Sequence, residues 1–441
     1  MRGRLNLSQL SQPSKKMTLT PHQQAAFDSL MNFASLDSTA GMAVLSGYAG
    51  TGKTFLVGKL ISELKQGGVR KLAVAAPTHK ALSVLAAKID TPVDFLTVHS
   101  LLGYKMTANE DVKVAERSNP PSLDKFNFVI IDESSMIGAK FFSDIVLHRG
   151  WTKVLFVGDP AQLPPIGEPQ RSPVFDRVQF QVHLSEVVRQ AAENPIIALS
   201  MAVRAAHEAG ATMDSRAVLS AVPASAFNIG ITQREVLGQW ALDEHKDGRD
   251  CRILAYTNAR VLAFNADIHE ALHGATPTPF VPGERVIVHE ARDSVRSADH
   301  PGVRVSLRTS EELTVRSVEW QKSSFDRYDL HVVAEMDSGA CVCGIWLDEE
   351  KQRETQRRFS EARVLTDRQE KRHAFQRAFA FRESFLDLRH AYAMTVHKSQ
   401  GSTFDTALID LPDLMRMPPA EFNQALYVAI TRPREYLAIG V

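Results

Sequence analysis

A chain of 441 residues with 44% hydrophobic composition is too long for one core, because single cores stop growing at about 250 residues, and its length predicts roughly two to four domains. Lys plus Arg balance Asp plus Glu at 51 each, so a polyanion must be met by a local basic surface and not by overall charge. The three cysteines, Cys251, Cys341 and Cys343, have no Cys/His cluster beside them, which excludes a disulfide framework and a zinc site, and no apolar run is long enough to span a bilayer.

Residues 1–16 are polar and basic without an apolar segment, which fits neither a secretion signal nor a membrane anchor and predicts a loose tail on a protein of a reducing cytoplasm. Short apolar runs at 43–45, 72–76, 128–131 and 154–157 alternate with polar helical stretches and end in Gly, Pro or acidic residues. That is the pattern of buried parallel strands whose loops form one ligand face. A second set at 252–256, 392–396, 406–410 and 436–441 predicts a second sheet, interrupted by a long insertion. Within the insertion, 284–289, 313–318, 328–334 and 340–346 read as strands of a small barrel. From Lys351 to Arg382 a helical stretch carries ten Lys/Arg against four acidic residues, with Phe359, Phe375, Phe379 and Phe381 interleaved. Such a stretch can touch nucleic acid, but more often it turns its phenylalanines inward.

The first chemical motif is Gly47-Tyr48-Ala49-Gly50-Thr51-Gly52-Lys53-Thr54, a complete P-loop between a strand and a helix. Its glycines let backbone N–H groups cradle phosphate at a helix N-terminus, with Lys53 on the β and γ phosphates and Thr54 on Mg²⁺. The apolar 128–131 strand then delivers Asp132 and Glu133 to the same face, Asp132 to hold Mg²⁺ through water and Glu133 to take a proton from attacking water. A P-loop kinase has less use for that second carboxylate, so the pair predicts hydrolysis of a nucleoside triphosphate. Gln162, in Gly158-Asp159-Pro160-Ala161-Gln162-Leu163-Pro164-Pro165, is placed to sense the γ phosphate. Arg189 and Arg432 each stand near an element end, where a guanidinium can meet transition-state charge. No further carboxylate cluster supports a two-metal nuclease.

Taken in order, Gln23, the P-loop, Ala76-Pro77-Thr78-His79, Thr97-Val98-His99-Ser100, Asp132-Glu133, Gln162, Arg189, Thr395-Val396-His397-Lys398-Ser399-Gln400-Gly401 and Arg432 resemble the motif series of superfamily 1 helicases. The likeness is to the Dda and RecD-like branch, superfamily 1B, and covers the chain from about Thr18 onward. It implies an α/β fold of two RecA-like P-loop domains with parallel sheets, ATP between them and single-stranded DNA across their tops, with movement 5′ to 3′. It also implies a pin hairpin and an SH3-like β-barrel as insertions. The expected division is a tail at 1–17, domain 1A at 18–103 and 123–185, and the pin at 104–122, with polar Thr107 to Asp111 as its turn. Domain 2A is expected at 186–275 and 386–441, and the barrel with its basic arm at 276–385.

By the same resemblance, Gln23 recognises adenine, Gln400 and Gly401 belong to the nucleotide site, and Arg189 and Arg432 are the γ-phosphate arginines. Pro77, Thr78, His79, Thr97, His99, Thr395, His397 and Lys398 form the DNA strip. The expected partners are single-stranded DNA, single-strand/duplex junctions and proteins of replication, recombination or repair, with a functional monomer in a bacterial cell or phage-infected host. Two alternatives use the same motifs: a translocase that strips protein without separating strands, and an ATP-switched DNA-binding adaptor.

Overall fold

The computed structural model describes residues 19–35, 38–109, 112–165, 167–168, 171–186, 194–322 and 328–441; for 105–109 and 112–116 the description is of the backbone alone. The first sheet has six parallel strands in the order Asp94–Thr97, Leu72–Ala76, Phe128–Ile131, Lys153–Gly158, Met42–Gly47 and Phe180–Leu184. Its inner strands are apolar at nearly every position, Ser46 and Lys153 being the exceptions, because helices cover both faces. Leu45, Val74 and Ile130 join one core with the helix Lys53–Gln66, while Val44, Ala75 and Ile131 join the other with the helix Ala139–His148. The edge strands Asp94–Thr97 and Phe180–Leu184 lie outside the runs expected from sequence, since each buries only part of its length.

The second sheet is also parallel, in the order Ala393–Thr395, Cys251–Ala255, Phe404–Asp410, Pro433–Gly440 and Ile229–Thr232. Here too the edge strand Ile229–Thr232 was not among the expected runs. Both sheets are RecA-like. The insertion is a curled antiparallel sheet in the order Arg304–Leu307, Arg292–Ser297, Cys341–Trp346, Tyr328–Met336, Glu312–Lys322, Arg285–Val288 and Leu388–His390, with Phe385–Leu386 added beside Cys341–Trp346. Alternate side chains of these strands enclose a core around Phe280, Val286, Leu313, Val332 and Leu388, as an SH3-like barrel requires.

Two projections complete the molecule. The strands Tyr104–Asn109 and Val112–Arg117 pair antiparallel as a hairpin. Thr107, Ala108 and Asn109, expected within the turn, pair with Val114, Lys113 and Val112 instead; the rest of the expected turn, 110–111, lies outside the described residues. From the barrel, the helices Glu349–Val364 and Arg368–Glu383 form an arm whose Phe359, Phe375 and Phe379 pack on Ala362 and Ala378 in a core of their own. The phenylalanines thus face each other, while Phe381 lies against Phe385 under the Arg358 guanidinium. The helix Arg368–Glu383 also rests against the hairpin strand Tyr104–Asn109. No helix among the described residues is long and apolar enough to cross a membrane.

Candidate nucleotide site and nucleic-acid interface

The phosphate cradle begins where the strand Met42–Gly47 ends. Gly52 caps the helix Lys53–Gln66 with φ +84°, a left-handed conformation open to glycine, so the loop can turn its N–H groups inward and present Lys53 and Thr54 at the helix start. Lys53 Nζ donates to the carbonyls of Gly47 at 2.7 Å and Tyr48 at 2.9 Å, spanning the loop it would otherwise turn toward phosphate. Gln23 is buried beneath this loop. It closes a capping box with Thr20 and its Nε2 donates to the Thr51 carbonyl at 2.9 Å, which leaves one amide N–H and one oxygen lone pair for a base.

Asp132 and Glu133 stand side by side at the end of the strand Phe128–Ile131. Glu133 has φ +51° and ψ +41°, unusual for a side chain with a Cβ, and such strain is retained where surrounding structure enforces it. Burial and the neighbouring Glu133 carboxylate push the Asp132 carboxyl up, with Lys53 and Lys88 opposing. A buried carboxyl whose proton affinity is raised by an adjacent carboxylate fits a divalent cation, and Thr54 and Asp132 are the residues that would hold Mg²⁺.

Gln162 lies in the following loop, where its carbonyl accepts from Gln424 Nε2 at 2.8 Å. Arg432 is buried. It donates to the carbonyls of Val428, Ser402 and Ser399 and to the Thr431 hydroxyl, at 2.9, 3.0, 3.4 and 2.9 Å. Glu133 is its opposing charge, so in this conformation it is a strut between segments of its own domain and not a group presented to an open cleft. Gln400 Nε2 is buried and without a hydrogen-bond partner among the described residues, a donor that a ligand oxygen would satisfy. Gly401 has another use: a Cβ there would sit 3.2 Å from the Ala81 Cβ, so it lets the loop approach the helix His79–Ala86. Arg189 lies outside the described residues.

The residues of the DNA strip share one construction. Thr78, Thr97 and Thr395 each end a strand region and cap the helix that follows, accepting from the N–H of Ala81 at 3.2 Å, Ser100 at 3.1 Å and Lys398 at 3.4 Å. Thr97 and Thr395 are buried, and the Thr97 hydroxyl donates to Ser100 Oγ. These two therefore orient helix N-termini, leaving outward contacts to neighbouring groups. Pro77 precedes the first cap. Burial, Arg308 of the barrel and His99 hold the His79 imidazole down at about 4, and its Nδ1 is buried without a hydrogen-bond partner among the described residues. Burial and Lys140 lower His99, whose ring meets Phe141 edge-on at 4.8 Å. Burial lowers His397, and burial with Arg389 lowers Lys398.

Sequence reading missed Lys140, Arg308 and Arg389, three cations brought to the strip by other segments. No motif surrounds them. Tyr104, at the hairpin base, also acts there: its hydroxyl donates to Asp144 at 2.7 Å, and Lys140 and Arg117 flank its ring at 4.6 and 5.2 Å.

The AAA domain family model matches residues 18–222, and the UvrD-like helicase C-terminal domain model matches 390–439. The ATP-dependent DNA helicase Dda of Enterobacteria phage T4 is 25% identical, over 94% of this chain and 98% of its own. The chain is thus similar to proteins named as ATP-dependent DNA helicases of the Dda, RecD2 and Pif1 kinds. The ATP-dependent RecD2 DNA helicase of Deinococcus radiodurans is 32% identical over 47% of this chain, which spans only 28% of that longer protein. In fold, the chain is similar to the Pif1 helicase from Bacteroides in complex with ADP-AlF3 and ssDNA, with a TM-score of 0.54, 20% identity, and coverage of 96% and 93% of the two chains.

Proposed function

We propose that the chain is an ATP-dependent DNA helicase that moves 5′ to 3′ on single-stranded DNA and separates duplex, working as a monomer with Mg²⁺. The observation that carries this is the convergence of the P-loop, Asp132-Glu133 and Gln162 on one end of the first sheet, with the Glu133 charge acting on Arg432 of the second. Lys53 and the loop N–H groups bind the phosphates, Thr54 and Asp132 hold the cation, and Glu133 takes the proton of the attacking water. The cation, when bound, supplies charge neutralisation between the phosphates and these carboxylates. Arg432 gives up one of its carbonyl contacts to reach the γ phosphate, so closure of the cleft is tied to ATP.

Thr78, His79, Thr97, His99, Thr395, His397 and Lys398 form a track of helix N-termini and polar side chains that grips phosphates without reading bases. The hairpin at 104–122, held at Tyr104 and backed by the arm, is the wedge. We assign domain 1A to 18–103 and 123–185, the barrel with its arm to 276–390, five residues beyond the expected end at 385 because Phe385–Leu386 and Leu388–His390 pair within the barrel sheet, and 2A to 186–275 and 391–441.

The test is ATP-dependent strand displacement on matched duplexes with a 5′ or a 3′ single-stranded tail, with Lys53→Ala as the inactive control. Displacement from the 5′ tail alone is expected. Activity from the 3′ tail alone reverses the polarity, and DNA-stimulated hydrolysis without displacement leaves a translocase.

A further inference from the structure

Asp159 follows the strand Lys153–Gly158 and is completely buried. Its Oδ1 accepts from Arg204 Nη1 and from the Ala161 N–H at 3.0 Å, and its Oδ2 accepts the Tyr427 hydroxyl at 2.6 Å. The Tyr427 oxygen in turn accepts the N–H of Ala49, inside the P-loop, at 3.1 Å. Arg204 spreads over the ring of the adjacent P-loop residue, Tyr48, at 4.1 Å from its centroid, and its Nε pairs with Glu208 at 2.7 Å. Two consecutive residues of the phosphate loop are thus held by side chains of the helices Pro195–Glu208 and Pro419–Ile430, both of which pack on the core of the second sheet.

This arrangement is costly as mere packing. Arg204 is 3% exposed and Tyr427 1%, and a charge pair so deep loses hydration that apolar side chains of the same volume would not lose. What the polar group provides is direction: a hydroxyl that donates to a fixed carboxylate offers its lone pair to one N–H at one angle.

We infer that Tyr427 and Arg204 are positioning residues of the nucleotide site, which act through Asp159 to fix the crest of the P-loop from the second domain. The inference rests on the reading of that loop as an ATP site. Tyr427 aims the Ala49 N–H and Arg204 fixes the Tyr48 ring, so the nest holds its shape before nucleotide arrives. Because Tyr427 lies in the last turn of the helix Pro419–Ile430 and Arg432, just beyond its cap, donates back to the Val428 carbonyl at 2.9 Å, a shift of the loop on phosphate binding is passed to Arg432.

Tyr427→Phe keeps the ring in its socket and deletes the hydroxyl. Binding of a fluorescent ADP and steady-state ATP hydrolysis with saturating oligo-dT are measured on the full chain. About a tenfold rise in Kd for ADP and in KM for ATP is expected, the size of one hydrogen bond, with kcat changed less than about threefold and nucleotide-free DNA affinity unaltered. Asp159→Asn, which keeps one acceptor, is expected to shift ADP affinity the same way by less, and it carries the test if Tyr427→Phe does not fold. Lower Tm in both variants with ADP affinity within about twofold of the parent would reduce the group to a strut and overturn the inference. Should the parent chain bind ADP but hydrolyse no ATP, the hydrolase reading falls while the ADP shift still decides this one.

Discussion

Glu312 offers a quantitative test of how the barrel is fastened to the rest of the molecule. Its carboxylate, 6% exposed, receives Arg252 of the second sheet at 2.9 Å, Arg285 of its own barrel at 2.8 Å and Lys80, from the helix His79–Ala86, at 3.4 Å. Burial works against ionisation there, but Arg252, Lys80 and Arg285 overcome it and hold the carboxyl at about 2, against an ordinary 4.5. That depression is linked to on the order of 3 kcal/mol of stability. Glu312→Gln removes it and leaves Arg252, 3% exposed, with the Asp250 carboxylate at 2.7 Å and the Cys251 carbonyl at 2.8 Å; deletion of one member of a buried pair costs roughly 3 to 5 kcal/mol. The lower end is expected because Asp250 remains.

The pH dependence has a fixed sign. A carboxyl depressed in the folded state contributes fully above its unfolded value and loses that contribution as pH falls. The gap between parent and Glu312→Gln should therefore be about 3 kcal/mol at pH 7 and close as pH drops from about 4.5 toward 2. Urea unfolding followed by tryptophan emission reads it, since Trp320 and Trp346 both lie in the barrel. A variant within about 0.5 kcal/mol of the parent at pH 7, or a gap that does not change with pH, would refute the account.

Glu133→Gln keeps the shape of the side chain but cannot take a proton, so phosphate release should fall about 10²- to 10⁴-fold with ATP still bound; turnover within tenfold of the parent would remove Glu133 as the base. Gly103 sits at the hairpin base with φ +73°, where a Cβ would lie 2.1 Å from the Asn119 carbonyl oxygen. Gly103→Ala should cost about 1 to 3 kcal/mol and impair strand displacement more than DNA-stimulated hydrolysis, which a paired assay on tailed duplex and oligo-dT would show. Phe379→Ala should empty the small arm core at about 3 kcal/mol, and hydrogen exchange should quicken across 349–383 while the two parallel sheets keep their protection; unchanged exchange in the arm would show that it draws its order from elsewhere.

The sequence is most legible where a strand is buried on both faces. Residues 128–131 form a continuous apolar run because helices cover the sheet on either side, and the acidic pair at its end is visible for the same reason. Asp94–Thr97, Phe180–Leu184 and Ile229–Thr232 are edge strands, short and partly exposed, and their composition does not distinguish them from loops. The phenylalanines of the arm were also ambiguous. Inward packing and base stacking call for the same residues, and only the pairing of two helices decides between them.

A comparable ambiguity runs through the candidate site. A threonine before a short helix caps it whatever else it does, so Thr78, Thr97 and Thr395 carry a local signal that serves both helix initiation and a phosphate track. Their burial separates the uses: in Thr97 and Thr395 the hydroxyl is turned to the backbone, and what reaches outward is the helix N-terminus it orients. Arg204 carries no local signal at all. It is one cation in the apolar helix Pro195–Glu208, and its meaning depends on Asp159, Tyr427 and Tyr48, residues from three other segments. Motifs report groups that meet a ligand within one turn of chain; groups that hold those motifs in place from another domain become visible only when the chain is folded.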